Sequence, residues 1–136
     1  MRKERYAQKL NELEDRIEFL RENLRDKEEF LSSRILRKAC YKEFQEAAEI
    51  VSDLLAMIVK DSGRFVEDDY TNLEAVSRII GLEDIEKDLR SVHGLRNVLV
   101  HGYNKVDDEL AFDSMVKSLK PLREFGRRVR SWLERV

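Results

Sequence analysis

The chain has 136 residues, enough to bury one core, so a single domain over 1–136 is expected. Charged residues make up 40% and hydrophobic residues 42%, with only five glycines and one proline; so few turn formers exclude a sandwich or barrel and favour long helices. A net charge of -2, from 26 Lys+Arg against 28 Asp+Glu, excludes a globally basic nucleic-acid binder but leaves room for a local basic site. The single cysteine, Cys40, excludes a disulfide framework and a multi-cysteine zinc site. No apolar run approaches the roughly 18–20 residues of a membrane span, and Met1 to Lys9 is charged where a signal peptide would be apolar. A cytoplasmic protein with no membrane association is therefore expected.

In chain order, residues 2 to about 30 read as one helix, because Tyr6, Leu10, Leu13, Ile17, Leu20 and Leu24 recur at alternating spacings of four and three. Ser32 and Ser33 can cap a second helix to about Lys60, with a broad apolar face from Cys40, Phe44, Ala47, Ala48, Val51, Leu55 and Ile58. Asp61 to Asp69 reads as a loop. Thr71 or Asp69 then caps a short helix carrying Leu73, Val76, Ile79 and Ile80, stopped by Gly81. The next helix starts near Glu83, carries Ile85, Leu89, Val92, Leu95 and Leu99, and ends at Gly102. Asp107 caps the last, running to about Arg135, with Pro121 expected to kink it and Gly126 expected to allow close backbone approach. The expected fold is all-α, an up-and-down four-helix bundle with one additional short helix.

The chemistry concentrates in residues 89–106, LRSVHGLRNVLVHGYNKV, a stretch without a single acid that holds Arg90, Arg96, Lys105 and both histidines. Asn97 and His101 are four apart and share a helical face; Arg96 and His101 are about 140° apart, but arginine is long and His101 lies at the fraying end. Leu95, Val98 and Leu99 are expected to hold the opposite side in the core. Arginine, asparagine and histidine suit metal-free phosphodiester cleavage: imidazole can take a proton from a 2′-hydroxyl near neutral pH, and guanidinium matches a crowded, anionic phosphorane. Spacing alone nevertheless favours a plainer reading, with Arg96 in a surface ion pair and His101 favoured at a helix end by the dipole.

The segment Arg96-Asn97-Val98-Leu99-Val100-His101-Gly102-Tyr103 resembles the signature of the HEPN superfamily: arginine, a polar residue, apolar positions, then histidine. Tyr103, two places further, is similar to the tyrosine of HepT-like RNase toxins from prokaryotic toxin–antitoxin pairs. Phe30 to Ala39 resembles that family's entry into its second helix, and the likeness extends over most of the chain. The resemblance implies a HEPN-like homodimeric bundle that cuts RNA without a metal or cofactor, with Arg96 and His101 as the catalytic pair and Asn97 in support. It also implies a partner, an MntA-type nucleotidyltransferase antitoxin that transfers AMP to Tyr103 and so blocks the site. The alternative is a non-catalytic helical binding subunit of a nucleotidyltransferase, with Arg96 and Tyr103 contacting nucleotide or partner.

Other residues read more plainly. His93 is expected to be a solvated helix residue, and Cys40 a small core residue. No acid or cysteine accompanies the histidines at metal-ligand spacing. Two basic patches stand out, Arg34, Arg37, Lys38 and Lys42, and Arg127, Arg128 and Arg130. Either could hold RNA phosphates, and pairing with the acids of the first helix is the favoured reading.

Overall fold

The computed structural model describes residues 1–102 and 106–136. Six helices follow in order: α1 (Lys3–Asn23), α2 (Lys27–Ser32), α3 (Arg34–Asp61), α4 (Asp69–Ile80), α5 (Glu86–His101) and α6 (Asp108–Arg135). The four long ones form a ring in which α1 packs on α3 and α6, and α5 packs on the same two from the other side. Pairs at both ends set the directions. Tyr6 donates to Asp61 and Lys9 reaches Asp53, while Arg16 lies against Glu43, so α1 and α3 are antiparallel. Lys3 meets Val136 and Arg130 meets Glu14, so α1 and α6 are antiparallel too. The expected up-and-down bundle is therefore present, with two short helices where one was expected.

The core follows the apolar spacing. Tyr6, Leu10, Leu13, Ile17 and Leu20 of α1 are buried against Phe44, Val51, Leu55 and Ile58 of α3 and Met115, Leu122, Phe125 and Val129 of α6. Cys40 is fully buried in this core, and burial pushes its thiol up to about 11, so it acts as a small apolar residue.

Several boundaries differ from those read off the sequence. The first helix does not run to residue 30. It stops at Asn23, whose side chain bonds back to the Phe19 carbonyl, and Asp26 then accepts the Glu28 and Glu29 N–H groups to start α2. Breaking there lets Leu24 and Phe30 both turn inward. The cap of α4 is Asp68, which accepts the Thr71 N–H at 2.8 Å; neither Thr71 nor Asp69 is the cap. Gly81 ends α4 in the left-handed region, at φ 78°, as its position suggested. The start of α5 is delayed to Glu86, because Leu82 and Ile85 both enter the core and Arg128 holds the intervening turn through the Gly81 carbonyl and Asp84. Ser33 and Asp107 cap α3 and α6 as expected. The last helix runs unbroken through the buried Pro121. Gly126 is buried but not obligatory: an added Cβ would lie 3.7 Å from Leu13 and 3.9 Å from Leu10, ordinary contact distances.

Candidate functional site

The last turns of α5 carry Arg96, Asn97 and His101, and Gly102 closes the helix by donating to the Val98 carbonyl. Leu99 between them is buried and fixes the rotation of the helix. Val98 is not in the core as expected; it is 55% exposed, because its side of α5 faces a groove rather than a neighbouring helix. That groove, about 600 Å³, lies between α5 and α6 and is lined by Gly94, Leu95, Val98, Val106 and Leu110 among others. Arg96 and Val98 are about 200° apart around α5, so the groove and the arginine occupy opposite sides.

Arg96 is held toward α3. Its side chain is 28% exposed, one terminal nitrogen donates to Asn97 Oδ1 at 3.2 Å, and the other lies 3.5 Å from Glu49 Oε1. Its Nε is buried with no hydrogen-bond partner among the described residues. A guanidinium so placed has donor capacity left for an anion, and its two contacts restrict where that anion can sit. His101 is exposed at the last helical position. Five residues separate it from Arg96, about 7.5 Å of helical rise. The structure thus joins Arg96 to Asn97 directly and sets His101 at the open end beyond them. Tyr103 and Lys105 lie outside the described residues.

The window that is acid-free in sequence is not acid-free in space. Arg90 meets Glu86 at 3.1 Å and Glu74 at 3.8 Å, and lies over the Tyr70 ring. His93 is not solvated: its side chain is 16% exposed, Nε2 lies 3.4 Å from Asp69, and the Tyr70 ring meets it edge-on. The start of α4 covers it, which the spacing of α5 alone could not reveal.

Two contacts near the site were missed in the sequence. Glu49 of α3 is one acid among many on exposed helix faces, and nothing marked it as the partner of Arg96. Tyr41 donates a short hydrogen bond to Asp108, and Arg37 reaches the same carboxylate and the Phe30 and Leu31 carbonyls. Burial first, and then the Asp108 bond, raise the Tyr41 phenol far above its ordinary range, so it stays a donor. This cluster fixes the start of α6, and hence the far anchor of the segment that follows His101. Among the described residues no group of three or more His, Cys, Asp or Glu side chains converges as a metal site, and no helix is long and apolar enough to cross a membrane.

The comparisons agree with this architecture. The family model Ribonuclease HepT-like matches residues 10–129. A protein of Archaeoglobus fulgidus named "Putative RNase" is 36% identical over 137 aligned positions, covering 100% of this chain and 98% of its own. A second A. fulgidus protein of the same name is 38% identical over 79% of this chain and 77% of its own. A protein of Methanocaldococcus jannaschii, also named a putative RNase, is 38% identical over 54% of this chain and 85% of its own. An all-helical bundle matched over nearly its whole length places the molecule in a defined class, and the chain belongs to the HepT-like ribonuclease family, of the HEPN type.

Proposed function

We propose that this chain is a metal-independent endoribonuclease and the toxin of a toxin–antitoxin pair, with Arg96 and His101 as the catalytic residues. The observation that carries the reading is Arg96 itself, a half-buried guanidinium tied to Asn97 and Glu49 with donor capacity to spare, one helix end from His101. Family membership across residues 10–129 supports RNA as the substrate.

In this mechanism the His101 imidazole accepts the proton of a ribose 2′-hydroxyl as its oxygen attacks the adjacent phosphorus. The phosphorane gains charge on its equatorial oxygens, and Arg96 stabilises it through N–H donors fixed in advance. The bond to the 5′-oxygen breaks, that oxygen takes up a proton, and a cyclic phosphate and a 5′-hydroxyl remain. Asn97 orients the guanidinium. The chain acts as a homodimer, and the apolar Val98 and Leu110 beside the α5–α6 groove give a face that a second copy would cover. Control comes from an MntA-type nucleotidyltransferase antitoxin that transfers AMP from ATP to Tyr103, releasing pyrophosphate. The added phosphate then competes for Arg96.

The test is cleavage of a labelled RNA in EDTA. Wild type is expected to cut, and His101→Ala to lose the activity with its fold intact. A fully active His101→Ala protein, or cleavage that needs a metal, rejects the mechanism. Mass spectrometry after incubation with ATP and the partner is expected to show adenylyl additions that Tyr103→Phe abolishes.

A further inference from the structure

The two basic patches of the sequence have different fates. Arg127, Arg128 and Arg130 are consumed: they pair with Glu124, Asp84, Glu14 and Asn11. At the start of α3 only Arg37 is consumed, by Asp108 and the end of α2. Arg34, Lys38 and Lys42 are exposed and have no ion pair or hydrogen-bond partner among the described residues, and the first turn of α3 contains no acid. Nearby acids are engaged by other cations: Glu43 and Glu46 of α3 pair with Arg16, and Glu18 of α1 pairs with Arg21.

Their placement relative to Arg96 adds a second observation. At about 100° per residue, Arg34, Lys38, Lys42 and Glu49 fall within an arc of about 80° on α3. Glu49 is the residue that touches Arg96. Because α3 and α5 pack antiparallel, moving from Arg96 toward His101 means moving from Glu49 toward Lys42. The three cations therefore form a ridge about 12 Å long from Arg34 to Lys42, on the same face of α3 as Glu49 and about 10 Å of helical rise from it.

We propose that the Arg34–Lys38–Lys42 ridge is a binding track for the sugar-phosphate backbone of single-stranded RNA flanking the cleaved linkage. It rests on the ribonuclease reading and adds to it the path of the strand. An anionic polymer with evenly spaced charges matches a straight row of cations on one helix face, and long flexible side chains there contact phosphates without reading sequence. Because the ridge touches no reacting atom, it governs substrate capture and leaves the chemical step alone.

The experiment is fluorescence anisotropy with a 2′-O-methyl oligoribonucleotide, which lacks the nucleophile and cannot be cut. Arg34→Ala/Lys38→Ala/Lys42→Ala is compared with wild type and with a charge-matched control, Arg21→Ala/Arg78→Ala/Arg127→Ala, whose cations pair within their own helices. Each phosphate contact contributes about 0.7 to the slope of log affinity against log salt. Loss of all three is expected to lower that slope by about 2 and weaken binding about fiftyfold at roughly 0.15 M salt, with the control near wild type. On cleavable RNA the ridge variant is expected to raise KM and keep kcat. Equal affinity and slope for ridge variant and wild type overturn the track while leaving the nuclease reading standing. Failure of wild type to bind or cut RNA overturns both. A ridge variant that binds RNA normally but has lost affinity for poly-glutamate also overturns it, because the ridge then serves an acidic protein.

Discussion

Arg96→Ala separates catalysis from stability, and the structure gives a magnitude for each. The substitution removes one hydrogen bond to the adjacent Asn97, worth about 0.5–1 kcal/mol, and an ion pair to a half-exposed Glu49 at 3.5 Å, worth about 0–1 kcal/mol. It also removes a buried N–H that has no partner among the described residues, a relief of about 1 kcal/mol or more, and it places the best helix former in α5. These nearly cancel, so the unfolding free energy should change by less than about 1 kcal/mol. The catalytic loss is of another size: removing one fixed donor to a transition-state oxyanion costs a factor of about 10²–10³ in rate. Urea unfolding of Arg96→Ala and wild type, alongside single-turnover RNA cleavage, measures both. A variant destabilised by more than about 2 kcal/mol would mean that Arg96 is mainly a structural clamp. Unchanged cleavage would refute its role at the phosphate.

Other expectations follow from neighbouring features. Gly126→Ala should stabilise the protein by about 1 kcal/mol, since a helix-interior glycine is removed and the new methyl meets Leu13 and Leu10 at contact distance; a lower melting temperature would show that the helices cannot yield. Tyr41→Phe should cost about 1–2 kcal/mol by urea unfolding, and a double-mutant cycle with Asp108→Asn should show coupling; additive effects would count against this anchor of α6. Arg127 and Arg128 hold the Glu124 carboxyl down to about 2, and Arg128 lowers Asp84 as well. Both groups stabilise the fold above their unfolded values near about 4, and that contribution fades as pH falls below them, toward about 2 for Glu124. Thermal melts from neutral to acid pH should therefore fall less steeply on the acid side for Arg128→Ala than for wild type. Leu110→Glu should shift a dimer toward monomer in analytical ultracentrifugation, whereas an unchanged mass would place the second copy on another face.

The sequence by itself determined what depends on neighbours along the chain. Three-four spacing of apolar residues selected which side of each long helix is buried, and Ser33, Asp107 and Gly81 act at the helix ends where their local chemistry puts them. The spacing of Arg96, Asn97 and His101 was legible for the same reason, since the six residues of one helix from Arg96 to His101 fix it. What only the tertiary structure decided depends on residues far apart in the chain. The break after Asn23 exists because Leu24 and Phe30 both find places in the core, and His93 is shielded because α4 folds over it. The partner of Arg96 comes from α3, more than forty residues away, and one partner of Arg90, Glu74, from α4. Charges interact through space, and composition counts them without pairing them. Two basic patches that look alike in one dimension therefore end differently, one paired with Glu124, Asp84 and Glu14 and the other left exposed on α3.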